Sequence, residues 1–333
     1  MARLGLGVGL TRRGGGGAEA PTIASLFAGD RQGAWFDPST LSTLFQKPAD
    51  GVEIPVDAAG QSVSRIADRS GRGNNATQAT ASRRPTYQTG PARLALDKID
   101  DLLLVTVPAG GWTGTMVLAT DEGTASYGVT LAEGARNISG GTDARYLPGS
   151  AIVGSVFRDG ALTSEEKAMV EAVLVDNGAP AGYGAHRNFT NYWNGFSNIT
   201  EFPTIDVSSG AGFTQAWRGC SGLTSFPELA FTAGAFYGSW NNCSNLATFP
   251  ANMFNNVTGG QFTQAFNGTN LTEASIDNIL VSLVASGIAA GTRVFDQSGG
   301  SAPSTKTGDG LKGQDAIDTL RSLGWTVAVT GGY

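Results

Sequence analysis

Residues 213–227 read FTQAWRGCSGLTSFP, and residues 236–250 read FYGSWNNCSNLATFP. Both carry an apolar or thiol side chain at the leading Phe and again at +4, +7, +10 and +13, with Pro next. Residues 189–203, FTNYWNGFSNITEFP, keep the same spacing, with Phe196 where the later units have Cys220 and Cys243. Phe262, Phe266 and Leu271 start a fourth, shorter unit. The leading residues Phe189, Phe213, Phe236 and Phe262 stand 24, 23 and 26 positions apart. One register shared at five positions predicts a common interior built from Trp193, Trp217 and Trp240, from Cys220 and Cys243, and from Phe202, Phe226 and Phe249. Five buried side chains at about 1.5–3 kcal/mol each cannot offset the ordering of a whole unit at about 1.5 kcal/mol per residue. A single unit is therefore unstable, and the units must stack.

Periods of about 20–29 residues are those of leucine-rich-repeat-type solenoids, so residues 188–271 are expected to form a leucine-rich-repeat-like solenoid. Beyond it, Thr272 can cap a helix with Ile276, Ile279, Leu280 and Leu283 on one face, ending near Gly287. A short strand is expected at Arg293–Phe295. A second helix presents Ala316, Ile317, Leu320 and Leu323, and Trp325–Val329 follows as a last strand. Residues 272–333 thus read as an α/β C-terminal cap. Upstream, residues 26–177 read as a β-rich domain, with Leu102–Val107 pairing Thr115–Ala119 across a turn-rich link, and with Tyr127–Leu131 and Ala151–Phe157 as further strands. Thr163 and Glu166 form a capping box for one helix whose apolar face is Val170, Val173 and Leu174. Residues 178–187 read as a linker, and residues 1–25 as a Gly-rich basic arm. The fold class expected is mainly β with α/β elements: a β-rich domain, a truncated or rearranged jelly-roll, then the solenoid and its cap.

The 333 residues include 48 Gly, and only 15% are charged, which excludes a helical bundle or coiled coil. The net charge of −6 argues against a general nucleic-acid binder, which needs a basic face. Gly5, Gly7 and Gly9 interrupt what would be the apolar segment of a secretory signal, so none is expected. Two cysteines are too few for a disulfide scaffold or a cysteine zinc site, and one histidine excludes a histidine metal cluster. No cofactor is expected.

Asp97, Asp100 and Asp101 cluster beside a predicted strand, as a polar turn or as oxygen ligands for calcium. Gly5, Gly7 and Gly9 fail as a dinucleotide fingerprint, because Arg12 takes the third Gly position and no strand precedes them. His186 reads as a solvated side chain. The informative surface is that of the repeats. Residues 188–271 hold three acids (Glu201, Asp206, Glu228) and one base, Arg218, but 16 of the 29 aromatic residues. Amides, hydroxyls and a few exposed rings suit sugar hydroxyls and sugar faces. Tyr192, Asn194, Asn198, Arg218, Tyr237, Asn241 and Asn245 are the exposed positions that would bind a glycan.

Two stretches resemble known families. AWRGCSGLTSFP and SWNNCSNLATFP resemble the cysteine-containing leucine-rich-repeat solenoids of bacterial and phage surface proteins. GAWFDPSTLSTLFQ, ADRSGRGNNATQATASRRPTYQ and LALDKIDDLLLV, the last with Asp100-Asp101, resemble phage virion proteins with a laminin-G/concanavalin-like portion. The resemblance implies a virion protein made in the host cytoplasm: a bacteriophage tail fibre, tail tip or head spike on the particle surface. Residues 1–25 would contact other virion proteins, and the solenoid would attach to a host cell-surface glycan or protein. A homo-oligomer, most simply a trimer, is expected, without nucleic acid as partner and without catalysis. The alternatives are a capsule-polysaccharide-degrading enzyme and a purely architectural cement protein.

Overall fold

The structure, a computed structural model, describes residues 21–48, 51–97, 99–138, 149–184, 188–232, 234–259, 261–288, 293–308 and 312–333. The first twenty residues of the basic arm and His186 lie outside them. In chain order the strands are β1 (Gly33–Phe36), β2 (Leu44–Gln46), β3 (Ile54–Pro55), β4 (Arg65–Ile66), β5 (Ala76–Thr77), β6 (Thr86–Gln88), β7 (Arg93–Ala95), β8 (Leu104–Val107), β9 (Trp112–Thr120), β10 (Thr124–Leu131), β11 (Gly134–Asn137), β12 (Ala151–Asp159), β13 (Ile199–Glu201), β14 (Phe262–Asn267), β15 (Val294–Ser298) and β16 (Thr326–Ala328). The helices are α1 (Ser164–Asp176), α2 (Glu273–Ser286) and α3 (Gly313–Ser322).

The architecture is mainly β. One antiparallel sheet runs β13-β10-β9-β12-β7-β6, with β1 also on β12, and a second runs β11-β8-β5-β4-β2-β3. Side chains alternate along β9. Met116 and Leu118 join the apolar cluster that also holds Leu44, Ile66, Ala76 and Val105 of the second sheet. Val117 and Ala119 join the cluster under Val170 and Leu174 of α1. Burial on both faces explains why this strand reads as a continuous apolar run. Helix α1 begins as its sequence predicts: the Thr163 hydroxyl accepts from the Glu166 amide, and Glu166 accepts from the Thr163 amide.

The expected pairing of Leu102–Val107 with Thr115–Ala119 is not formed. Strand β8 lies between β5 and β11, while β9 lies between β10 and β12. Between them, Gly110 and Gly111 adopt φ of 93° and 74°, and a Cβ on Gly111 would stand 2.6 Å from the Leu131 carbonyl oxygen. The chain there crosses from one sheet to the other, so that Val105 and Leu118 lie in different sheets while sharing one buried apolar cluster.

The repeats follow. Between β13 and β14 the described residues form turns joined by isolated parallel bridges (Gly212↔Ala235, Ser225↔Thr248) rather than continuous strands. The cause is a division of labour within each unit. Amides at +3, +5 and +7 donate within the unit, as Ala216, Arg218 and Cys220 do to Phe213, Gln215 and Trp217. Amides at 0, +2, +4 and +6 donate to the next unit: Phe213 to Ala235, Gln215 to Tyr237, Trp217 to Ser239 and Gly219 to Asn241. The first unit repeats the second pattern onto Gly212, Thr214, Ala216 and Arg218, and the third onto Gln261, Thr263, Ala265 and Asn267. Overlapping turns need left-handed corners. These fall at +2 (Asn191, Gln215, Gly238, Gln264) and at +6 (Gly195, Gly219, Asn242, Gly268), all with positive φ.

The C-terminal part is a small parallel α/β layer, β14-β15-β16, with Phe262 beside Phe295 and Phe295 beside Val327. Strand β14 receives the amides of the third unit, so this sheet extends the ladder. Helix α2 closes the back of that unit, where the Ser275 and Ser282 hydroxyls accept from the amides of Phe249 (3.0 Å) and Phe254 (2.6 Å). Thr272 caps it, and Gly287 ends it at φ 63°.

The repeats are joined to the sheets through β13, which pairs β10. Trp193 Nε1 donates to the Tyr127 hydroxyl at 3.0 Å. Tyr183, fully buried, packs edge-on against Tyr192 and Trp193 at 6.1 and 5.7 Å. One apolar cluster runs from the sheets through the repeats into the C-terminal layer.

Candidate functional site

The interior of the repeats is three columns of parallel rings. Phe189, Phe213, Phe236 and Phe262 stack at 5.2, 5.3 and 4.9 Å. Trp193, Trp217, Trp240 and Phe266 stack at 5.4, 5.2 and 4.9 Å. Phe202, Phe226 and Phe249 stack at 5.5 and 5.6 Å and meet the tryptophans edge-on, as at 4.9 Å between Trp217 and Phe226. Cys220 and Cys243 are buried free thiols. Their Sγ atoms lie 3.1 and 3.0 Å from the carbonyl oxygens of Trp193 and Trp217. Burial pushes the Cys220 thiol well up and that of Cys243 to about 12, so neither is a nucleophile at neutral pH.

With 0, +4, +7, +10 and +13 turned inward, +1, +2 and +5 supply the surface. The +1 column is Thr190, Thr214, Tyr237 and Thr263, and the +5 column includes Arg218, Asn241 and Asn267. These groups, neutral but for Arg218, recur at the step of the ring columns. Of the sequence candidates, Arg218 and Asn245 are exposed, and Asn198, Tyr237 and Asn241 are half-buried. Three of them also bridge units: Tyr237 Oη donates to Gln264 Oε1 at 3.2 Å, Asn241 Nδ2 to the Gln264 carbonyl at 3.4 Å, and Asn245 Nδ2 to the Ser221 carbonyl at 2.7 Å.

Tyr192 and Asn194 are corrections. Each is 7% exposed and neither belongs to the surface. Tyr192 occupies +3, an inward position where the later units hold the buried Ala216 and Ser239. Its ring meets Phe189 at 5.4 Å and Trp193 at 5.3 Å. Asn194 turns its amide back onto Asn191 Oδ1 at 3.0 Å. The small residues at +3 were the overlooked signal for the first; nothing in the spacing marks the second. Thr214, Gln215 and Gln264 join the surface unpredicted, and the +1 and +2 columns would have found them.

A second feature was not foreseen. On another flank, an open groove of about 700 Å³ lies between α1 and the first unit, lined by Ser126, Lys167, Glu171, Glu201 and Asp206 among others. A groove of about 630 Å³ continues it, sharing Thr204, Ile205 and Asp206 and adding Glu228, Leu229 and Asn252. Ser126 Oγ donates to Glu171 Oε1 at 2.6 Å. The hydroxyl and amide of Ser208 hold the Asp206 carboxyl below its ordinary range.

The carboxylates of Asp97, Asp100 and Asp101 offer oxygens within 4.8 Å of one another. Asp97 Oδ1 already accepts the amides of Ile99, Asp100 and Asp101, which lower its pKa, that of Ile99 most. Burial raises Asp101, and Asp100 pairs with Arg83 at 3.2 Å. The trio forms a closed polar turn into β8.

A scan of protein-family models, a search of curated proteins and a search of solved structures each found no match.

Proposed function

We propose that residues 188–271 are a leucine-rich-repeat-like solenoid, and that the chain is a non-enzymatic, adhesive structural component of a phage or phage-like particle. In this reading residues 1–25 anchor it to other virion proteins at the particle surface, as in a tail fibre, tail tip or head spike. The solenoid then meets a host-surface glycan. One observation carries the glycan reading: hydroxyl, amide and guanidinium groups recur in columns on a rigid ladder, with a step near 5 Å set by the stacked rings. Such a surface offers several equivalent hydrogen bonds, uncharged except that of Arg218, to a polymer of equivalent sugars. A homotrimer would multiply weak contacts into useful avidity. The test is binding of the purified chain to host-surface polysaccharide, with Arg218→Ala/Asn241→Ala beside it. At least about tenfold weaker binding by the double variant, from two hydrogen-bonding groups at roughly 1 kcal/mol each, is expected. Unchanged binding refutes the assignment of the surface.

A second reading rests on the carboxylates along the two grooves. Glu171, Glu201, Asp206 and Glu228 could supply the acid and base of glycoside hydrolysis if two of them stand about 5–9.5 Å apart across a bound chain. New reducing ends from host polysaccharide, absent in Glu201→Gln or Asp206→Asn, would favour it over adhesion.

A further inference from the structure

The stacked rings fix the shape of the surface above them. Phe189 lies 6° from parallel to Phe213, and Phe213 lies 3° from Phe236. Trp193 and Trp217 differ by 7°, and Trp217 and Trp240 by 9°. The ladder therefore advances at a nearly constant step almost without turning, and the columns on its outside are straight. The +1, +2 and +5 columns share one face. A Cβ on Gly238 at +2 would stand 3.4 Å from Gln215 Cγ and 3.8 Å from Asn241 Cβ. Tyr237 Oη and Asn241 Nδ2 both donate to Gln264 of the next unit. Four rungs carry hydroxyls at +1, from Thr190 to Thr263. At the next rung β15 sets Phe295 beside Phe262, which puts Asp296 at +1, where its carboxylate accepts the Gln264 amide. The acids Glu201, Asp206 and Glu228 line the grooves on the other flank.

We propose that this face takes a cellulose-type or chitin-type glycan: a straight, equatorially linked chain laid along the ladder axis, one sugar per rung, over the four rungs from Thr190 to Thr263. The inference rests on the adhesive reading above and narrows it to one linkage class. A pyranose chain linked equatorially at both ends runs straight, and each sugar advances it by one ring and its bridging oxygen, which matches the 5.2–5.4 Å step of the indoles. An axially linked chain coils and leaves a straight column after one or two sugars. The straight ribbon turns over at every sugar, so one side of it shows alternate edges. Threonine hydroxyls and the amides of Asn and Gln both donate and accept, so each rung serves either edge. The columns thus fit the polymer in step, in straightness and in hydrogen-bonding character.

The test is calorimetric titration of the full chain with cello-, chito- and malto-oligosaccharides of two to six sugars. In the cello or the chito series, affinity is expected to rise about fivefold per added sugar, the worth of one net hydrogen bond, up to four sugars and then to level. The coiled malto series should show no such rise. Thr263→Ala, with its fold checked by far-UV circular dichroism, removes the last rung and should bring the plateau to three sugars. Equal gains in the malto series, no gain with length in either straight series, or a plateau that Thr263→Ala does not move overturns the proposal. Host polysaccharide bound through Arg218 and Asn241 without a preference for the straight series sinks the linkage class and leaves the adhesive reading standing. Failure to bind host polysaccharide at all overturns both.

Discussion

Removing the central indole is the sharpest probe of the ladder. Trp217 stacks between Trp193 and Trp240 at 5.4 and 5.2 Å, meets Phe202 and Phe226 edge-on at 5.6 and 4.9 Å, and is fully buried. Its indole N–H has no partner, so Trp217→Ala forfeits packing and no hydrogen bond. Burial of about 150–250 Å² at ~25 cal/mol/Å² gives about 4–6 kcal/mol, and measured Trp→Ala losses in cores fall near 3–5 kcal/mol. About 4 kcal/mol is therefore expected, a large part of a typical stability of about 5–15 kcal/mol. Trp193→Ala should cost about 1 kcal/mol more, because Trp193 also donates to the Tyr127 hydroxyl. Urea unfolding followed by far-UV circular dichroism measures both. The apolar cluster is continuous, so the loss should shift one cooperative transition. A Trp217→Ala loss below about 1 kcal/mol, or an early transition for the repeats alone beside an unshifted one for the sheets, would refute the reasoning.

Gln215 sits at a left-handed corner with φ 54°, so Gln215→Gly should raise stability by up to about 1 kcal/mol and Gln215→Val should lower it, read as opposite shifts in Tm. A Cβ on Gly222 would stand 2.5 and 2.6 Å from the carbonyl oxygens of Ser197 and Ile199 in the unit before; Gly222→Ala should cost about 1–3 kcal/mol in urea unfolding. Burial holds the Cys243 thiol and the Tyr127 phenol near 12, above their ordinary 9 and 10. A raised native pKa favours folding below the unfolded value, so stability should be level to about pH 9 and fall as the pH rises toward 12, in a titration of the unfolding midpoint. For the same reason, alkylation of both thiols by iodoacetamide at pH 8 should proceed only at the rate of unfolding.

The helices of the C-terminal layer were legible because their signals are local: Thr272 as cap, Gly287 as stop, and a face of Ile276, Ile279 and Leu280 between them. The repeat was legible because its five inward positions recur, and a recurring register implies a common interior. The failures were of another kind. Strands β8 and β9 look like hairpin partners because only residues 108–111 separate them, yet each pairs within a different sheet, and Val105 and Leu118 are buried in one common apolar cluster. Tyr192 looks exposed because it is polar at one end, but +3 faces inward and Tyr183 folds over it.

The amino-acid order by itself determined the stacking of the units, the side chains that fill them and the neutral character of what remains outside, because all of these follow from spacing and residue type within a single turn of chain. Only the tertiary structure decided which sheet each β-strand joined, that the repeats share one core with those sheets, and that Glu171 of α1 lines one groove with Glu201 and Asp206. Those outcomes depend on surfaces brought together from distant parts of the chain, where burial of apolar area outweighs local pairing and leaves no periodic trace in the residues that meet.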